Sequence, residues 1–242
     1  MAQKIRLDVL IFKRELTSSL NKSTALVMEG KVTVGGKIIT KPGFAVSESS
    51  EISIKESAEF VSRGGIKLKK ALEEFSICVK DKICLDVGAS TGGFTDCLLK
   101  NGAKKVYCVD VGYGVFDFKL RNNPQVVNIE KTNIRYFDKN LLKDEIDLAV
   151  VDVSFISLEK VLPKVKELVK TGGEIIALVK QQFEAPKGST QKGVVKDEQI
   201  RLQAIDKIKN FSKTLGLSLL GNTTSPIKGP KGNLEHFLYF KT

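Results

Sequence analysis

Four short apolar runs, at residues 83–87, 106–109, 148–151 and 175–179, each carry a charged residue at or just beyond their C-terminal end: Asp86, Asp110, Asp152 and Lys180. Segments of helical length separate them. Continuous apolar runs alternating with helical patterns predict strands buried on both faces and joined by crossover helices, which is a parallel α/β sheet. A further strand is expected at 126–129, with helices at 158–169 and 198–215 among the connections. The chain ends differently. Runs at 217–220 and 237–240 are joined by a polar Gly/Pro-rich connection, which predicts an antiparallel C-terminal hairpin. The expected class is α/β with a mostly parallel sheet, and in such sheets ligands bind outside the C-terminal strand ends.

The first of these strand ends carries the run Asp86-Val87-Gly88-Ala89-Ser90-Thr91-Gly92-Gly93-Phe94-Thr95, leading into a helix near Phe94. A strand, a glycine turn and a helix make a nucleotide-type site, because glycine lets backbone approach a ligand where a side chain would collide. The spacing is not G-x-G-x-x-G, and the run holds no lysine followed by serine or threonine, so neither a dinucleotide fold nor a P-loop is indicated. A ligand without a pyrophosphate fits better. Asp110 follows about twenty residues later, where doubly wound sheets place an acid for ribose hydroxyls. Asp152 and Lys180 add two charges at the same edge, costly unless paired or met by a ligand.

The chain has 242 residues with 39 Lys/Arg against 28 Asp/Glu, a net charge of +11, of which +6 falls in residues 180–242. An excess of this size favours a polyanionic partner. No apolar run reaches membrane-spanning length and residues 1–6 lack a signal-peptide core, so a cytoplasmic protein is expected, with no membrane partner. Cys78, Cys84, Cys97 and Cys108 form no C-x-x-C pair and read as free thiols, three of them in core. His236 is the only histidine. Histidine-dependent hydrolysis and a histidine metal site are therefore unpromising, and no metal is expected.

Two short helices and a few strands are expected before the sheet. Leu7, Leu10, Ile11 and Leu16 mark one helix stripe, and Leu20, Ala25, Leu26 and Met28 a second, ended by Gly30. Strands at 32–34 and 37–39 flank Gly35-Gly36, and 51–54 returns as another. Residues 55–62 read as a linker, with the domain boundary placed between 57 and 58. Arg6-Leu7-Asp8, Ser23-Thr24-Ala25, the run Glu29-Gly30-Lys31-Val32-Thr33-Val34-Gly35-Gly36, and Gly43 with Val46 resemble the small alpha-L RNA-binding domain of a ribosomal protein and pseudouridine synthases. The resemblance implies a small N-terminal α+β RNA-binding domain, with Arg6, Lys13, Arg14, Lys22, Lys31 and Lys37 as candidate phosphate contacts.

Lys67, after Ser62-Arg63-Gly64-Gly65, joins Asp152, Lys180 and Glu235 in a set that resembles the lysine, aspartate, lysine, glutamate tetrad of FtsJ-type ribose 2′-O-methyltransferases. With the glycine run, Val109-Asp110-Val111-Gly112-Tyr113-Gly114, Asp152-Val153-Ser154-Phe155-Ile156-Ser157 and Leu178-Val179-Lys180-Gln181-Gln182-Phe183-Glu184, nearly the whole chain resembles the TlyA, or hemolysin A-like, family. One position departs: Phe60 stands where the family often carries tryptophan.

The resemblance implies a Rossmann-like methyltransferase fold that binds S-adenosylmethionine. Asp86, Gly88, Ala89, Ser90, Gly92, Gly93 and Phe94 would hold the cofactor, Asp110 its ribose, and Asn133 would lie near the adenine. It implies methylation of a ribose 2′-hydroxyl in ribosomal RNA or ribosomal subunits, with cytidines as targets. Lys180 would accept or steer the hydroxyl proton, and Asp152 and Glu235 would orient the two lysines. The loops at 184–196 and 226–233 are expected to meet RNA and to order on binding it. A non-enzymatic RNA-binding or ribosome-assembly factor, and a membrane-active hemolysin, stand as alternatives. The sequence leaves oligomeric state open.

Overall fold

A computed structural model describes residues 4–55 and 59–242. The chain divides into two compact units, residues 1–58 and 59–242. The boundary expected between 57 and 58 lies outside the described residues.

The first unit runs β1 (Lys4–Arg6), α1 (Leu7–Lys13), α2 (Leu20–Met28), β2 (Val32–Val34), β3 (Lys37–Ile38), β4 (Ala45–Ser47) and β5 (Ile52–Ile54). Gly35 and Gly36 both take positive φ, +53° and +77°, the backbone that a two-residue hairpin turn needs. Its core is Leu7, Leu10 and Ile11 of α1 with Val27, Val32 and Val46. Two expectations need correction here. Leu16 lies beyond α1, which stops before Glu15 at φ +56°, and α2 buries Ser23 and Val27 while Leu20 and Met28 are exposed.

The second unit holds α3 (Arg63–Glu74), β6 (Ile83–Val87), α4 (Gly93–Lys100), β7 (Lys105–Val109), α5 (Phe118–Arg121), β8 (Val126–Ile129) and β9 (Ile146–Val151). It continues with α6 (Leu162–Leu168), β10 (Val169–Lys180), α7 (Gln181–Glu184), α8 (Glu198–Thr214), β11 (Ser218–Thr224) and β12 (Glu235–Lys241). Seven strands form one sheet in the order β11-β12-β10-β9-β6-β7-β8. The pairs from β10 to β8 are parallel, and β12 is antiparallel to both β10 and β11. The expected hairpin is therefore present, with β12 inserted beside β10.

Strand periodicity separates the two faces. Ile175, Ala177 and Val179 of β10 pack with Leu162, Val165 and Leu168 of α6 and with Ile205 and Ile208 of α8. Ile176 and Leu178 face Leu68, Ala71 and Leu72 of α3 and Cys97 and Leu98 of α4. The strand order changes direction at β6 and β9, whose C-terminal ends carry Val87 and Val151. Loops leaving two such neighbours diverge and open a crevice.

Candidate active site

Gly88 leaves β6 with φ +85°, and a Cβ placed on it would meet the Asp152 carbonyl oxygen at 2.6 Å. The turn is thus pressed against the loop after β9, an approach open to glycine alone. Gly92 caps α4 with φ +92°, where a Cβ would strike Leu120 at 2.5 Å. Asp110 fastens the same turn from the next strand. Its carboxylate accepts hydrogen bonds from Ser90 N at 2.7 Å and from Gly112 N at 2.6 Å. We expect Gly88→Ala to lose about 2 kcal/mol or more from backbone strain and collision together, read as a lower denaturation midpoint; an unchanged midpoint would contradict the fit described.

Asp86 sits differently from its expected place. It is fully buried within β6 beneath the turn and lines neither of the clefts described below. Its Oδ2 accepts from Thr95 Oγ1 at 2.6 Å, and its Oδ1 has no hydrogen-bond partner. Burial pushes this carboxyl up to about 7, against the opposing hydrogen bond from Thr95, and Asp152 and Asp110 add like-charge repulsion. Gly92 also lines neither cleft. Both shape the turn from behind.

Two clefts meet at the turn. One, of about 580 Å³, is lined by Gly88, Ala89, Ser90, Gly93 and Phe94 together with Lys67, Asp152, Lys180 and Glu235. The other, of about 530 Å³, is lined by Gly88, Ser90, Asp110 and Asn133 with apolar walls from Val87, Val111 and Ile134. Gly88, Ser90, Asp152, Ser154 and Phe155 belong to both. Asn133 lies where its side-chain oxygen caps a single helical turn, accepting from Arg135 N at 3.1 Å.

The four charged residues form two pairs. Lys67 Nζ lies 2.5 Å from Glu235 Oε2, with both side chains buried. Lys180 Nζ lies 2.7 Å from Asp152 Oδ1 and donates a hydrogen bond to Ser154 Oγ at 2.8 Å. The contact with Asp152 is ionic rather than an aligned hydrogen bond, since Asp152 Oδ1 takes none. Glu235 Oε1 is likewise buried without a hydrogen-bond partner. The register explains the cluster: Lys180 pairs directly with Glu235 across β10 and β12.

Sequence reasoning missed several residues at the cleft. Ser154 was visible only as part of a resembling motif. Phe155 takes φ +63° and is 90% exposed, with its ring 5.2 Å from that of Phe183. A non-glycine residue held in the left-handed region with its ring in solvent is a departure from both backbone and burial preferences. Glu184, expected in a loop, instead ends α7 buried and accepts from Ser157 Oγ at 2.6 Å and Leu158 N at 2.7 Å. That clamp holds the loop bearing Phe155 beside the segment bearing Phe183.

The two basic loops are already tied together. Asn233, buried, accepts from Val195 N at 3.0 Å and donates to Gly193 O at 2.8 Å. Arg63 donates to the carbonyl of Lys228 at 2.6 Å. These bonds join the two loops at the mouth of the larger cleft, which Lys228 and Lys231 line.

In the first unit, four of the six candidate phosphate contacts have protein partners. Arg6 pairs with Asp8 at 2.7 Å, Lys13 with Glu48 at 2.5 Å and Lys31 with Glu29 at 2.5 Å, while Arg14 bonds backbone carbonyls of Ser50 and Glu48. Lys22 and Lys37 are exposed, with no side-chain partner among the described residues. The four cysteines are free, with Cys84, Cys97 and Cys108 buried; burial pushes Cys84 and Cys97 up to about 12. Such thiols are inert. Among the described residues no group of His, Cys, Asp and Glu could hold a metal ion, and no helix is long and apolar enough to cross a membrane.

Comparison with known proteins places this geometry. Residues 60–242 match the FtsJ-like methyltransferase model, and residues 5–52 match the S4 domain. The 16S/23S rRNA (cytidine-2′-O)-methyltransferase TlyA of Mycobacterium tuberculosis is 41% identical, over 100% of this chain and 91% of its own length. Hemolysin A of Brachyspira hyodysenteriae is 40% identical over 98% of this chain and 99% of its own. A solved structure from Streptococcus thermophilus, described as that of a candidate hemolysin, superposes with a TM-score of 0.76 at 39% identity, covering 100% of this chain and 90% of that one. With the TlyA proteins this chain belongs to the FtsJ-like methyltransferase family, carrying an S4 domain ahead of the methyltransferase domain.

Proposed function

We propose that the protein transfers a methyl group from S-adenosylmethionine to a ribose 2′-hydroxyl of ribosomal RNA, with cytidine as the target nucleoside. The observation that carries this reading is the place of Lys180, in the larger cleft and bonded to Ser154, a residue that lines both clefts. The smaller cleft suits a nucleoside: apolar walls for a base, the Asp110 carboxylate at its edge, and a turn at Gly88 with no room for a side chain. Asp110 and Asp152, both lining it, suit a cationic donor. The cytidine target is supported by the relative from Mycobacterium tuberculosis, whose name specifies it.

When bound, S-adenosylmethionine supplies a methyl group already activated on a sulfonium sulfur. The chain's own residues then have three tasks. The first is admission of the nucleotide. Lys180 and Asp152 have side chains only 11% and 18% exposed, so a helical RNA stem cannot reach them and a single nucleotide must leave its stack to enter. Phe155 and Phe183 offer an aromatic platform at the cleft for the extruded base, and Lys228 and Lys231 offer cations to its phosphates.

The second task is alignment, which contributes up to about 7–11 kcal/mol in well-oriented reactions. Asp152 and Ser154 hold Lys180 in one orientation, and the Lys67–Glu235 pair closes the other side. The third is proton removal: Lys180 orients the hydroxyl and, after yielding one of its own protons to solvent, takes up the hydroxyl proton as the new C–O bond forms. Lys22 and Lys37 of the S4 domain supply phosphate contacts whose strength falls with salt.

The test is incubation of purified full-length protein with labelled S-adenosylmethionine and ribosomal subunits from cells lacking the protein, followed by mapping of 2′-O-methyl positions. A single new ribose methyl on a cytidine is expected. Binding of subunits without transfer would favour the assembly-factor alternative.

A further inference from the structure

Gln182 lines the larger cleft between Lys180 and Phe183. The short helix α7 divides its residues by face: Gln181 and Glu184 are buried at 2% and 5% exposure, while Gln182 and Phe183 are half-buried and line the cleft. Glu184 is spent on Ser157 and Leu158, as described above. Gln182 is not spent on anything. Its Oε1 is shielded from solvent and takes no hydrogen bond, and its amide nitrogen has no hydrogen-bond partner among the described residues. A shielded amide oxygen without a partner keeps its desolvation cost uncompensated, and such groups in folded proteins usually have a reason to stay unpaired.

What could satisfy it is set by its neighbours. The next residue, Phe183, has its ring tilted against that of Phe155, and Lys180, two residues before, lines the same cleft and bonds to Ser154. An amide offers one acceptor and one donor side by side. That is the complement of the polar edge of a nucleobase, where an exocyclic group and a ring nitrogen stand next to each other. A base stacked on one of these two rings, with its ribose toward Lys180, would turn its polar edge to the cleft wall that Gln182 helps form.

We infer that Gln182 is a base-holding residue: its side-chain amide pairs with the Watson–Crick edge of the extruded target nucleotide. The inference rests on the reading that this cleft admits a ribosomal RNA nucleotide, and it adds the contact that keeps the base out of its own stack. Because no hydrogen bond to the described residues fixes which end of the amide faces the base, the contact holds a base rather than selecting one. It acts on the nucleotide, in contrast to Ser154 and Asp152, which act on Lys180.

The experiment uses full-length protein, ribosomal subunits lacking the methyl group, and S-adenosylhomocysteine to hold an unreactive complex. Dimethyl sulfate, which attacks cytosine N3 and adenine N1, reads the Watson–Crick edge of the target. In the wild-type complex the target base should be protected. In the Gln182→Leu complex, similar in volume but unable to hydrogen-bond, it should become reactive, with methylation kcat/KM lower by about 10- to 100-fold and cofactor affinity by calorimetry unchanged. If Gln182→Leu loses cofactor binding, Gln182→Ala is used in its place. Equal protection in wild type and variant, or equal reactivity in both, overturns the inference. Wild-type protein that methylates no subunit overturns the underlying reading instead, so the two failures are told apart.

Discussion

Replacing Lys180 by alanine is expected to lower methyl transfer by about 10²–10⁴-fold, the range that a positioned acid–base group contributes. Cofactor binding should survive, because Lys180 lines the larger cleft and is absent from the smaller one that holds Asp110 and Asn133. The variant leaves Asp152, with a side chain 18% exposed, without its ionic partner, so a modest loss of stability is also expected and thermal denaturation must accompany the assay. Lys180→Arg separates two roles. Arginine keeps a positive charge beside Asp152 but does not give up its proton in proteins. If Lys180 takes up the hydroxyl proton, arginine restores stability and leaves activity near the alanine level. If arginine restores transfer to within about tenfold of wild type, well short of the general-base range, Lys180 acts as a fixed charge and the proton goes elsewhere.

The sheet was readable because its central strands are covered on both faces. Every residue of 148–151 and 175–179 contacts a helix layer, so each run is apolar without interruption and its charged end stands out. The same reasoning placed Asp152 and Lys180 at one edge, while Lys67 and Glu235 came only from the resemblance; the register of β10 with β12 brings Lys180 and Glu235 side by side. The N-terminal unit was less readable. Its strands have two or three residues, too few for a periodic signal, and its second helix buries a serine at position 23 while exposing Leu20 and Met28.

The cleft residues that escaped notice share one property: their role depends on backbone conformation or on an unmade bond. Nothing in the letters around Phe155 announces φ +63° or an exposed ring. Asn233 reads as a turn residue in a Gly/Pro-rich loop, and only the folded chain shows its amide joining that loop to Gly193 and Val195. Asp86 shows the converse. It heads the glycine motif and looks like a ligand contact, yet the pleat of β6 turns it inward, to a buried hydrogen bond with Thr95.

That burial gives Asp86 the second large effect. Its carboxyl is pushed up to about 7 in the folded protein, against an ordinary value of 3.8. The folded state therefore holds the proton more tightly than the unfolded chain does, and stability falls as pH rises from about 4 to about 7, then levels off. A shift of about three units corresponds to about 4 kcal/mol across that window. His236, whose ring is driven below its usual value by burial, contributes with the opposite sign near pH 6.5, so the test compares variants rather than raw curves. Asp86→Asn removes the ionisation while keeping an oxygen for Thr95. Urea denaturation at pH 5 and pH 8 should show the variant more stable than wild type by about 1.5–2 kcal/mol at the lower pH and by about 4 kcal/mol at the higher one. Parallel losses for both proteins between the two pH values would mean that Asp86 stays ionised in its buried place, held by partners other than Thr95. The same substitution leaves the Gly88 turn in place, so a gain in stability with cofactor affinity retained would show that this acid shapes the site from below without touching what binds there.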